Sequence, residues 1–199
     1  MTGNGPRPAT RVGLTREAVV TAAADLADRI GFHRVTVSAV AREAGVRSPS
    51  LYSHLRGTDD LTAAVTELAL TELADRGDRA LAGRSGRAAL LALAAVNREY
   101  ARQHPGRFEA ASALDVQPSD TLAAAAARVS DQTAAVLRGY AVAEDEQVHA
   151  ARLIASVLRG FIQLEAGGAF GHRPQPTDDS WERALDVLDD ALRHWASAR

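Results

Sequence analysis

The chain of 199 residues contains no cysteine. That removes disulfide frameworks, thiolate metal sites and cysteine nucleophiles, and nothing marks an oxidising compartment. Lysine is absent too, so all 23 basic residues are arginine, which beside the wealth of alanine reads as the coding bias of a GC-rich genome. Aromatic residues make up only 5% although hydrophobic residues reach 46%. Such a balance favours close-packed helices over strands built from branched and aromatic side chains. Long apolar runs are also missing, none approaching the length that crosses a bilayer. The first residues are Gly, Pro, Thr and Arg without an apolar stretch, so they do not read as a secretory signal. A cytoplasmic all-α protein with no membrane partner is expected.

What is present is organised by charge and periodicity. Residues 1–57 hold 8 arginines against 4 acidic residues, and residues 58–199 hold 15 against 21, so a basic head precedes an acidic body. A head of that kind suits contact with a phosphate backbone. Apolar residues at helical spacing predict nine helices, over 14–30, 37–44, 48–57, 58–81, 87–103, 107–116, 121–140, 144–166 and 178–196, with no strand or repeat. Thr15, Thr36, Ser48 and Thr58 stand where N-caps belong, Pro49 where a first helical residue belongs, and Gly31 and Gly45 where helices stop. Two short helices joined by a tight glycine turn, over 37–57, are a helix-turn-helix. The alanine-rich helix over 121–140 is suited to approach a neighbour closely.

Enzymatic readings find little support. There is no pair of Glu-x-x-His motifs, no His-Glu-x-x-His and no glycine-rich nucleotide loop, and His104 and His149 are too isolated to argue a metal site. No enzyme activity, metal or cofactor is expected.

The stretch 36–55, TVSAVAREAGVRSPSLYSHL, resembles the N-terminal domain of the TetR/AcrR family of regulators, and the upstream Ala22-Ala23 and Gly31-Phe32 match it as well. The resemblance implies a helix-turn-helix DNA-binding domain over 14–57, behind a flexible arm over 1–13, and a larger helical ligand-binding and dimerisation domain over 58–199. A recognition helix must bury one face and present a short polar one to base edges. Here Leu51 and Leu55 can face inward, leaving Arg47, Ser48, Pro49, Ser50, Tyr52 and His54 as the DNA-binding set. Arg47 and the serines can reach bases or phosphates, the resemblance gives Tyr52 and His54 a backbone-positioning role, and Thr36 suits a phosphate at a helix start. Thr58 stands where most members carry lysine; its hydroxyl can still meet a phosphate, with a salt slope smaller by about one unit. Leu55 replaces an aromatic residue common in the family.

The segment 158–170, LRGFIQLEAGGAF, resembles the C-terminal regulatory domain of one TetR subgroup, with Arg159 where that subgroup often has histidine. This resemblance implies a homodimer formed by the last two long helices, with Ile154, Leu158, Trp181, Leu185, Leu188, Leu192 and Trp195 as the interface. Tyr100, Phe108, Leu137, Phe161 and Ile162 would line a site for a small-molecule effector. Arg159, unusual in an apolar helix, would pair with Glu165 or Glu99 or meet an anionic ligand. The expected function is a transcriptional regulator, a repressor released from a pseudopalindromic double-stranded operator by a ligand; the alternative is a helical ligand-binding module without DNA binding.

Overall fold

Thr15 sets the first helix: its Oγ1 accepts from the Ala18 N–H at 3.2 Å, and α1 runs Arg16–Ile30 until Gly31 turns the chain at φ 90°. A computed structural model describes residues 15–113, 116 and 118–195. A 3-10 turn, Phe32–Arg34, leads to α2, Val37–Glu43, whose cap Thr36 accepts from the Ala39 N–H at 3.1 Å. After α2 come α3, Ser48–Leu51, and α4, Thr58–Leu81. The body continues with α5, Gly86–Gln103; α6, Pro105–Ala111; α7, Asp120–Leu137; α8, Gln147–Ala166; and α9, Thr177–Arg193. Nine α-helices and no strand are found among the described residues, as expected of an all-α chain.

Several ends differ from expectation. Ser48 does not cap α3 but begins it, with Arg47 at the cap position and no side-chain hydrogen bond there. Thr58 likewise is the first residue of α4, because Gly57 at φ 154° occupies the cap, a conformation open to glycine. α3 stops at Leu51, well short of the expected end at residue 57, and Leu55 is reached by a turn in which its N–H donates to the Leu51 carbonyl at 3.0 Å. Pro105 opens α6, ahead of the expected start at residue 107, its missing N–H costing nothing at a first helical position. The 1–13 arm lies outside the described residues.

Two large cores, with a smaller cluster of Leu70, Leu122 and Ala125 between α4 and α7, organise the described residues. The first collects Val19, Ala23, Leu26, Phe32, Val40, Leu51 and Leu55 with Leu61, Val65 and Ala69 of α4 and Ala110 of α6. The second joins Leu90, Leu93 and Tyr100 of α5 to Ile154, Leu158 and Ile162 of α8 and Trp181, Leu185, Leu188 and Leu192 of α9. α4 contributes to both, since Leu73 belongs to the second, so a division at residue 57 cuts through a packed unit. Alanine-rich α7 lies along α4, where Gln132 Nε2 donates to the Ala74 carbonyl at 2.6 Å and Asp78 Oδ1 at 2.7 Å. No helix among the described residues is long and apolar enough to cross a membrane.

Candidate nucleic-acid interface and its link to the body

Burying Val37, Val40, Ala41, Leu51 and Leu55 leaves the other side of α2 and α3 to solvent. Arg47, Pro49, Ser50 and Tyr52 are exposed, Ser48 and His54 half-buried, and Thr36 and Thr58 exposed at the starts of α2 and α4. The residues expected to bind DNA therefore all lie at least partly on accessible surface of the head. Tyr52 is 56% exposed, an aromatic ring that serves no core.

The turn behind Tyr52 is held by a device the sequence reading missed. Arg16 of α1 grips Asp60 of α4 with both terminal guanidinium nitrogens, at 2.8 and 2.9 Å, and donates from Nη1 to the His54 carbonyl at 2.9 Å. Asp60 also accepts from the Arg56 N–H at 2.9 Å. The Arg16 hydrogen bonds hold the Asp60 carboxyl far below its usual range, at about 2. The only sequence signal of it is the presence of acidic residues, Asp59 and Asp60, in the first turn of α4.

Charge on the head is uneven. Arg16 and Arg29 are paired, with Asp60 and Glu43, whereas Arg34, Arg42, Arg47 and Arg56 are exposed and form no ion pair among the described residues. Of these four, sequence reasoning had singled out Arg47 alone; helical patterning does not distinguish a paired arginine from a free one.

The head is fastened to the body through α6. Asp28 of α1 accepts from the Arg107 N–H at 2.9 Å and faces His104 Nδ1 at 3.1 Å. Arg107 is buried, 7% exposed, and its guanidinium pairs with Asp25 and lies 3.5 Å from Asp28 and 3.6 Å from Glu72. Glu109 Oε2 accepts from the Phe32 N–H at 2.7 Å. Gly106 lets the two helices touch: a Cβ there would stand 2.1 Å from the Ala27 carbonyl.

The opposite side of α6 faces a cavity of about 310 Å³. Phe108, Ala111 and Ser112 line it with Leu70 and Leu73 of α4, Leu122 and Val129 of α7, and Arg159 of α8. Of the expected effector residues, Phe108 and Arg159 reach this space. Tyr100, Leu137 and Ile162 do not: they are 0–2% exposed and fill the second core. Phe161 stacks instead on Phe170 and Trp181, with ring centres 4.9 and 5.0 Å apart.

The expected ion pair of Arg159 is replaced by another. Glu165 accepts from Arg98 at 2.8 and 2.6 Å and from Arg102 at 2.9 Å, and these guanidinium groups hold its carboxyl down at about 2. Six residues along a helix amount to a turn of roughly 240° beyond a full circle, so Arg159 and Glu165 do not share a face. Arg159 is exposed and has no ion pair among the described residues.

The expected dimer residues also need correction. Ile154, Leu158, Trp181, Leu185, Leu188 and Leu192 lie inside the chain's own core, each at most 6% exposed, and so have no surface left for a partner. Trp195 packs partly on that core and donates from Nε1 to Glu146 at 3.2 Å. The large apolar residues that α8 and α9 leave exposed are Val148, Leu164 and Val187.

Comparison with known proteins agrees with this arrangement. Residues 19–65 match the model described as bacterial regulatory proteins, tetR family, and residues 90–188 match the tetracyclin repressor-like C-terminal domain. The uncharacterized HTH-type transcriptional regulator YobS of Bacillus subtilis (strain 168) is 35% identical over 90% of this chain and 87% of its own. An uncharacterized HTH-type regulator of Mycobacterium tuberculosis is 34% identical over 78% of this chain and 72% of its own. Among solved structures, a protein of unknown function from Rhodococcus sp. RHA1 superposes with a TM-score of 0.75 at 21% identity, covering 94% of this chain and all of that one. A TetR variant from Acinetobacter baumannii AYE in complex with minocycline gives 0.67 at 20% identity, over 92% and 98% of the two chains. The chain belongs to the TetR family and is a DNA-binding transcriptional regulator.

Proposed function

We propose that this regulator is a repressor that binds a pseudopalindromic operator as a homodimer and is released when a small molecule occupies the cavity beside α6. The observation that carries the reading is the position of α6 between two loads. One side holds α1 through Asp28, Arg107 and Glu109, and the other supplies Phe108 and Ala111 to the cavity wall. A ligand that favours one placement of α6 thereby favours one placement of the head. The minocycline complex of the Acinetobacter TetR variant supports a ligand site in this fold.

In this reading Arg47, Ser48, Pro49, Ser50 and Tyr52 enter the major groove, and Thr36, His54 and Thr58 contact phosphates with help from Arg34, Arg42 and Arg56. The partner protomer covers Val148, Leu164 and Val187 on α8 and α9, and the two recognition helices reach successive grooves about 34–36 Å apart. Deleting the gene tests the direction of control: transcripts beside the operator rise if the protein represses, and a fall overturns that reading. Release obeys linkage, so operator DNA must weaken the effector by the factor with which the effector weakens operator. Equal effector affinity with and without operator, measured by calorimetry, rejects the coupling.

A further inference from the structure

The cavity beside α6 carries its own chemical signature. Its walls are largely apolar, with Leu70, Leu73, Phe108 and Val129, and Arg159 is the one charged residue among the described residues that line it. No carboxylate lines it among the described residues, and Arg159 has no ion pair there. A second observation is independent of charge. Thr66, 1% exposed, lies in the cavity wall with a buried Oγ1 that has no hydrogen-bond partner. Ser112 and Ser130, also in the wall, spend their hydrogens on the carbonyls of Phe108 and Ala126, at 3.0 and 3.1 Å. The Asn97 amide gives one hydrogen to the Leu93 carbonyl at 2.9 Å. The unspent hydrogens are therefore those of Thr66, Arg159 and the second of Asn97, a donor-rich set that calls for an acceptor.

We propose that this cavity receives a compact organic carboxylate, with its anion at Arg159 and its apolar body against Leu70, Leu73 and Phe108. This rests on the reading that the cavity governs operator release, and it names the chemistry of the effector. A volume of about 310 Å³ accommodates roughly ten non-hydrogen atoms at about 30 Å³ each. An amine of the same body meets only like charge, and an alcohol can accept from the guanidinium but forgoes the ion pair and its bidentate geometry.

Calorimetry of the full chain with sodium octanoate, octanol and octylamine decides the matter. Octanoate binds at least about tenfold tighter than the other two, and Arg159→Met removes that preference while Arg159→Lys keeps part of it. Ala126→Phe, which fills the cavity from α7, abolishes octanoate binding; circular dichroism melts verify that each variant is folded. Equal affinity for the three probes, no binding of any, or octanoate binding unchanged in Arg159→Met or in folded Ala126→Phe overturns the carboxylate site and leaves release by some other ligand standing. Octanoate binding lost in Arg159→Met but without effect on operator affinity keeps the site and overturns its control of release.

Discussion

The carboxylate of Asp28 on α1 accepts from the backbone N–H of Arg107 on α6, 79 positions later, at 2.9 Å. The same carboxylate lies 3.5 Å from the Arg107 guanidinium and 3.1 Å from His104 Nδ1, so one side chain joins the DNA-reading head to the helix that walls the cavity. Replacing it removes an acceptor from a nearly buried cation. Asp28→Ala is expected to cost about 2–3 kcal/mol in urea unfolding, because Arg107 keeps Asp25 and Glu72 but loses its shared partner. Asp25→Ala, at a half-exposed carboxylate, should cost about 1 kcal/mol or less.

Gly106 tests the closeness of the same joint. A methyl group there meets backbone of α1 rather than a movable side chain, so relief requires shifting a helix. Gly106→Ala should destabilise by about 2–3 kcal/mol despite alanine's better helix propensity, read as a lower thermal midpoint. Gly160, whose Cβ would meet nothing within 4 Å, is the control in which the same change raises the midpoint.

Salt dependence separates free from paired arginines. Each of Arg34→Ala, Arg42→Ala and Arg56→Ala should lower the slope of log affinity against log salt by about 0.9 if that residue meets one phosphate. Arg29→Ala should leave it nearly unchanged, because Arg29 is already matched with Glu43 at 2.5 Å.

Acid unfolding reports the two arginine clamps. Asp60 and Glu165 are held at about 2 in the folded chain, below ordinary values of 3.8 and 4.5. A carboxylate depressed by folding stabilises fully above its unfolded value and loses that contribution as pH falls toward the folded one. Stability should therefore drop between about pH 4.5 and 2, and Glu165→Gln should be less stable at neutral pH with a shallower drop in that window, measured by urea midpoints across pH.

Oligomeric state follows from the exposed residues of the last two helices. Val187→Asp, at a site 62% exposed, should convert a dimer to a folded monomer in sedimentation experiments and weaken operator binding with it. Leu192→Asp, at a fully buried site, should unfold the chain instead.

The head was more legible in the sequence than the body, and the reason is physical. Caps such as Thr15 and Thr36 and the glycine at residue 45 act within one turn, so local spacing reveals them. The recognition segment is likewise short and contiguous. The effector and dimer residues depend on which face of an apolar helix meets which neighbour. On α8 and α9 periodicity shows Leu158 and Leu188 to be apolar but does not say whether the chain's own core or a second protomer covers them. The Arg98, Arg102 and Glu165 cluster joins residues more than 60 positions apart, and neither arginine carried any mark of it.

Selection of bound fragments from random DNA by the purified protein, with Arg47→Ala and Tyr52→Ala beside it, tests DNA reading by the α2 and α3 head most directly. A two-fold symmetric consensus with half-sites one helical turn apart or a multiple of it, lost in both variants, is the expected result. Absence of any enriched sequence at low salt, or an unchanged consensus in both variants, would contradict it.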